Sequence, residues 1–153
     1  MAELTFHNAT IKMHGAKGLA VKNSAINIAG DGALKIIIDG DSSVESGYNS
    51  TIATAMKNGT TYTSVNNSKL TLTQNGTSGL SALTETAGVL NFENANIHAT
   101  SKRQGKWSQS IVNAVSDVNV SGGNLLIEAV NCSTNGLMVG GKLTLTDWAK
   151  VRL

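Results

Sequence analysis

Proline is absent from this chain of 153 residues, cysteine occurs once, and aromatic residues make up only 4%. Charged residues are also few, at 14%, with 10 acids against 12 Lys and Arg. Each shortage excludes something. A single cysteine, Cys132, cannot form an internal disulfide; set in the turn-like Asn131-Cys132-Ser133, it reads as a buried or incidental thiol. A net charge of +2 without a clustered basic face and aromatic platforms argues against a nucleic-acid partner. Lys12, Lys35 and Lys150 give at most a sparse stripe, interrupted by His98 and Glu128, and read as a solvated face. No apolar run approaches the ~20 residues that a membrane-crossing helix needs, so no membrane insertion is expected. Sustained helical spacing is missing as well.

What the chain has in abundance is Thr, Ser, Asn and Gly, which disfavour helix interiors and suit short strands joined by turns. Within that background an apolar–polar–apolar triplet returns: Leu4-Thr5-Phe6, Ile26-Asn27-Ile28, Leu70-Thr71-Leu72, Leu90-Asn91-Phe92, Val118-Asn119-Val120 and Leu143-Thr144-Leu145. Alternation of this kind marks a strand with one buried face, and its regular return marks a repeat architecture. A second strand follows most triplets, with Lys, His or Glu outward, as in Ile11-Lys12-Met13, Leu34-Lys35-Ile36 and Ile97-His98-Ala99. A third segment precedes several triplets: Gly18-Leu19-Ala20-Val21, Gly79-Leu80-Ser81-Ala82, Ser110-Ile111-Val112 and Gly136-Leu137-Met138-Val139.

Three short strands per repeat predict an all-β chain, a single-domain parallel β-helix over residues 1–153 with about six coils and little or no helix. The expected core comprises Leu4, Phe6, Ile11, Leu19, Val21, Ile26, Ile28, Leu34, Ile36, Leu70, Leu72, Leu80, Phe92, Ile97, Ile111, Val118, Val120, Ile127, Leu137, Val139, Leu143, Leu145 and Val151. Stacked coils are expected to set the Thr and Asn of the triplets in one ladder on a flat outer face. Two stretches break the pattern. Residues 41–64 read as a distorted coil or protruding loop, and residues 100–110 as a second insertion. The chain opens on a repeat, without a signal-peptide layout, and stops in mid-coil without a polar cap. It is therefore expected to be a fragment of a longer solenoid or a unit that associates end to end.

The run Gly136-Leu137-Met138-Val139-Gly140-Gly141-Lys142-Leu143-Thr144-Leu145-Thr146-Asp147-Trp148-Ala149-Lys150-Val151 resembles the coils of right-handed β-helix repeat regions in large bacterial cell-surface proteins. Gly18 to Ile28 is similar. The resemblance implies a right-handed coil, an extracellular or cell-surface setting, and an adhesin or carbohydrate-binding role. Some proteins of this type are polysaccharide lyases. It carries over no functional residue.

Enzymatic chemistry finds little footing in the residues. The one local group of acids is Asp31, Asp39, Asp41 and Glu45, whose spacing matches no strong calcium loop, and Asp-Gly is an ordinary turn signal. Neither Arg103 nor Arg152 lies near them in sequence. His7, His14 and His98 are scattered and read as solvent-exposed, so no metal, cofactor or catalytic residue is assigned, and a lyase or glycosidase is the weaker alternative. Ligand-binding candidates are of two kinds. Asn27, Thr71, Asn91, Asn119 and Thr144 of the ladder offer amides and hydroxyls to sugar hydroxyls. Lys102, Arg103, Lys106 and Trp107 set an aromatic ring among three cations, which suits stacking on a sugar or an acidic glycan. Trp148 is expected to pack on a neighbouring coil. The expected function is a non-catalytic surface module for adhesion or carbohydrate binding, with a polysaccharide or host-surface glycan as partner; a filament subunit self-associating through its ends is the alternative.

Overall fold

The fold was analysed in a computed structural model that describes residues 1–13, 25–47, 50–75, 81–102, 110–130 and 134–153. Within these the chain winds through successive coils of three strands. The first coil holds β1 (Ala2–His7), β2 (Thr10–Met13) and β3 (Ile26–Gly30), and the second β4 (Leu34–Asp39), β5 (Ser42–Ser46) and β6 (Ile52–Met56). The third holds β7 (Thr60–Val65), β8 (Lys69–Gln74) and β9 (Leu83–Glu85), and the fourth β10 (Leu90–Glu93), β11 (Asn96–Ser101) and β12 (Val112–Ala114). β13 (Val118–Ser121), β14 (Asn124–Ala129) and β15 (Leu137–Val139) follow, then β16 (Leu143–Thr146) and β17 (Lys150–Arg152). Every third strand pairs in parallel. The first sheet has the order β1-β4-β7-β10-β13-β16, the second β2-β5-β8-β11-β14-β17 and the third β3-β6-β9-β12-β15. This is a parallel β-solenoid without helix among the described residues, its two sheets of 6 strands and one of 5 close to the six coils expected.

Hydrogen bonds between coils continue around the corners. Between the third and first sheets, Leu34 N–H donates to Gly59 O (3.1 Å), Thr60 N–H to Val89 O (2.9 Å) and Leu90 N–H to Asp117 O (3.0 Å). The corner from the first sheet to the second carries a positive φ in every coil, at Asn8 (46°), Gly40 (86°), Asn66 (52°), Asn94 (49°), Gly122 (67°) and Asp147 (53°). Asn, Asp and Gly are the residues that reach this left-handed conformation at least cost. At Gly40 a side chain would also collide with the Asn8 carboxamide of the coil below.

Inward side chains stack into a linear core. Leu34, Ile36 and Ile38 of β4, Leu70 and Leu72 of β8, Leu90 and Phe92 of β10, and Val118 and Val120 of β13 are buried. Of the core expected from sequence, Leu4, Ile11, Ile26, Ile28, Leu137, Val139 and Val151 are partly buried against it, and Leu19, Val21 and Leu80 lie outside the described residues. Leu143 and Leu145 depart from expectation at 42% and 51% exposed, because no further strand of the described chain covers β16.

Two expectations need correction. Residues 41–64 are neither distorted nor protruding where described: β5, β6 and the start of β7 pair in register with the coils on either side. Their inward positions are held partly by small hydroxyl residues, Ser42, Ser46, Thr54 and Thr60, all buried. A search for large apolar residues passes over such strands. The hydroxyls are satisfied locally; Ser42 Oγ donates to Gly40 O at 3.1 Å and accepts from Ala9 N–H at 3.0 Å. The single ladder is the second correction. Ile26-Asn27-Ile28 lies in the third sheet and Leu70-Thr71-Leu72 in the second, while Leu34-Lys35-Ile36 belongs to the first. The apolar–polar–apolar signature reports burial of one face and is the same for all three sheets.

The register gives a direct test. Ile36 points inward and is fully buried, whereas its neighbour Ile37 points outward and is half-buried. Ile36→Ala is expected to cost about 3 kcal/mol and Ile37→Ala under about 1 kcal/mol in urea denaturation. Equal losses would mean that the strand is one residue out of phase.

Candidate functional site

The outward ladder on the first sheet runs Glu3, Lys35, Thr61, Asn91, Asn119, Thr144. Its middle rungs are joined: Asn119 Nδ2 donates to Asn91 Oδ1 at 2.9 Å, and Asn91 Nδ2 to Thr61 Oγ1 at 3.4 Å. Asn91, Asn119 and Thr144 are thus brought together. Thr71 is outward on the second sheet, in line with Ser43 and His98. Asn27 is outward on the third, where its Nδ2 donates to Ala25 O at 3.2 Å. Lys102 follows β11 and is exposed; Arg103, Lys106 and Trp107 lie outside the described residues, as do His14 and Cys132. Lys12, Lys35 and Lys150 do not align. Lys35 is on the first sheet, and on the second Lys12 pairs with Glu45 while Lys150 pairs with Asn124.

The acids grouped in sequence are separated by their partners. Asp31 is ion-paired with Lys57 (2.5 Å), Asp39 Oδ2 is hydrogen-bonded with His7 Nδ1 (2.9 Å), Asp41 Oδ1 accepts from Lys69 N–H (2.8 Å), and Glu45 accepts from the Asn75 amide. Among the described residues no three His, Cys, Asp or Glu side chains come within reach of a common ion.

A polar groove runs along the corner between the first and second sheets. One hollow of about 310 Å³ is lined by Asn67, Lys69, Asn96, His98, Asn124 and Arg152 among others. A second, of about 330 Å³, shares the three asparagines and adds Asp147, Trp148 and Lys150. The asparagines form their own ladder: Asn124 Nδ2 donates to Asn96 Oδ1 at 2.9 Å, and Asn96 Nδ2 to Asn67 O at 2.8 Å. Lys69 and Lys150 close the same outward column, Lys69–Asn96–Asn124–Lys150. His98 Nε2 meets Glu128 Oε2 at 2.5 Å beside it.

Trp148 does not pack on a neighbouring coil; it is 96% exposed. Its backbone explains the orientation. Residues 146–149 form a tight turn closed by Ala149 N–H to Thr146 O (3.0 Å), with positive φ at both Asp147 (53°) and Trp148 (59°). The turn at 65–68 is the same: Ser68 N–H donates to Val65 O (3.0 Å), and Asn66 (52°) and Asn67 (58°) occupy the centre. Turns of this type favour Asn and Gly. A bulky residue there costs roughly 1–2 kcal/mol, and an exposed ring recovers nothing by burial. Asp147 fits its place better. Ser121 Oγ (2.5 Å) and Thr146 Oγ1 (3.1 Å) donate to its Oδ2 and hold its carboxyl below the usual aspartate range, against a smaller opposing effect of burial.

Inside the solenoid lies a carboxylate that reads as an isolated acid in the sequence. Glu85 is fully buried at the end of β9. Its Oε1 accepts from Met56 N–H (3.1 Å), Ala87 N–H (2.9 Å) and Gly88 N–H (3.2 Å), and its Oε2 from Thr60 Oγ1 (2.7 Å). Leu83-Thr84-Glu85 aligned on Val112-Asn113-Ala114 is the signal that could have placed it inward. Nearby, Tyr62 stacks on Phe92 with ring centroids 5.5 Å apart. Burial first, and Glu85 second, drive the Tyr62 phenol far above its ordinary pKa, so it stays neutral. No hydrogen-bond partner reaches its buried hydroxyl among the described residues. These groups are sealed in the core and hold coils together; they are not arranged for a substrate.

No known protein family, curated protein or solved structure matches the chain.

Two stability effects of opposite sign are expected in the interior. Tyr62→Phe removes a buried hydroxyl without a partner and should raise stability by about 1 kcal/mol. Glu85→Ala strips the acceptor from four donors and should cost at least about 3 kcal/mol. Chemical denaturation of the two variants checks both signs. At the corner, the lowered Asp147 pKa makes its contribution present above the ordinary aspartate value of about 3.9 and lost as pH falls through the folded value. The Tm difference between the native chain and Asp147→Asn should therefore narrow as pH drops below about 4.

Proposed function

We propose that the chain is a non-catalytic, extracellular or cell-surface β-solenoid module that acts in adhesion through carbohydrate binding. The observation that carries this reading is the outward ladder of neutral amides and hydroxyls on the first sheet, Thr61–Asn91–Asn119–Thr144, repeated along the stacking axis at the ~4.8 Å spacing of strands. Asn91 and Asn119 each spend one amide hydrogen on the preceding rung, leaving further donor and acceptor positions on the outer face. Sugar hydroxyls are ligands that both give and take hydrogen bonds, and a rigid row meets a repeating polymer without loss of its own conformational freedom. The cationic segment with Lys102, Arg103, Lys106 and Trp107 offers a second contact, since it follows β11 in sequence. The separate engagement of Asp31, Asp39, Asp41 and Glu45 by four different partners favours binding over hydrolysis or elimination, which call for convergent acids.

An end-to-end stacking subunit is the second reading, favoured by the unbroken parallel stacking of all three sheets along one axis. The two readings separate by experiment. A polysaccharide array is expected to give signal with the purified chain and to lose it in Trp107→Ala or in Asn91→Ala/Asn119→Ala. Absence of signal, together with large assemblies in electron micrographs, would replace carbohydrate binding by stacking. Turnover of a polyuronate into unsaturated products would overturn the non-catalytic reading.

A further inference from the structure

We propose that the groove along the first-to-second sheet corner, with Trp148 at its end, is a binding site for an acidic polysaccharide of the uronate class. The inference rests on the carbohydrate-binding reading and adds a place and a ligand charge to it. Three observations converge on this groove and are independent of the first-sheet ladder. Asn96 and Asn124 form two successive amide rungs along the stacking axis, one strand spacing of ~4.8 Å apart, and Asn96 is anchored on the backbone carbonyl of Asn67. That interval is close to the advance of one pyranose along an extended chain, so successive sugars can meet successive amides. The row carries positive charge: Lys69 and Lys150 stand at its two ends and Arg152 lies beside it. None of the three is ion-paired with a carboxylate among the described residues. Asp147, the one acid among the described residues that line either hollow, is turned to Ser121 and Thr146.

The third observation is Trp148 itself. It stands 96% exposed in the turn position where the equivalent turn of the third coil has Asn67, at a φ of 59° that its side chain disfavours. Turn geometry does not account for an indole there, and nothing among the described residues packs on it. An exposed flat ring beside cations and amides is what a sugar face stacks on, while Lys150 and Arg152 meet the uronate carboxylates. A single-stranded nucleic acid shares the negative charge, but it calls for several aromatic platforms in succession, and among the described residues this groove has one.

The test uses the whole chain with polygalacturonate, neutral dextran and single-stranded DNA as probes, in affinity electrophoresis and calorimetry. Polygalacturonate is expected to bind, with affinity falling as salt rises. Trp148→Gly should weaken it roughly tenfold while leaving Tm unchanged or higher, which a merely structural tryptophan would not do. Lys150→Gln/Arg152→Gln should weaken it and flatten the salt dependence. Wild-type affinity in both variants would overturn the groove as the site, and the module reading would stand if Trp107→Ala still abolished array signal. DNA binding tighter than polygalacturonate would overturn the ligand class. Binding of no glycan of any kind would remove both this inference and the reading beneath it.

Discussion

Six residues with left-handed backbone, stacked one above another at the corner from the first sheet to the second, fix the phase of everything that follows them. Asn8, Gly40, Asn66, Asn94, Gly122 and Asp147 turn the chain sharply enough for the next strand to start in register with the coil below. Coils differ in length, and the corner absorbs part of the difference. The three-residue corners, at Asn66-Asn67 and Asp147-Trp148, carry a second positive φ, as does the two-residue glycine corner Gly122-Gly123. Because the corner is followed at once by the second sheet, its geometry decides which residues of that sheet face outward. Asn96 and Asn124 align for that reason, not because their local sequences are alike.

Parallel stacking also dictates where polar groups can enter the interior. Each inward position repeats coil after coil, so a hydroxyl or carboxylate placed inward must find its partner one coil away or in its own turn. Thr54 donates to Thr84 O, Thr60 to Glu85, and Glu85 accepts from backbone on both sides. The middle coils therefore hold together through buried hydrogen bonds as well as apolar contact, and the polar interior is concentrated where a coil lies on either side.

Much of this architecture is legible in the sequence, with informative exceptions. The triplets around Phe6, Leu72, Phe92 and Val120 give strand identity and inward face directly, since large apolar residues alternate with Thr or Asn. Residues 41–64 hide their strands because Ser42, Ser46, Thr54 and Thr60 do the packing that Leu or Ile does elsewhere. The single ladder fails for a different reason: strand periodicity encodes in or out, and nothing in it encodes which of three sheets a strand joins. As for the groove, Asn67, Asn96 and Asn124 fall in segments of unlike sequence, and the exposure of Trp148 follows from a pair of backbone angles that no residue pattern announces.

Buried Glu85 also bears on how such a chain can change. In a solenoid whose coils meet through interchangeable apolar faces, a coil can be copied, deleted or moved and still find a compatible neighbour. The coil that carries Glu85 has less of this freedom. Its carboxylate takes the Met56 amide from the coil beneath, while Thr60, Ala87 and Gly88 belong to its own coil and the turn that follows. A copy of this coil would bring those three donors along, and only the fourth would have to come from whatever coil lies beneath. The buried carboxylate thus ties its coil to the one below through a single backbone amide.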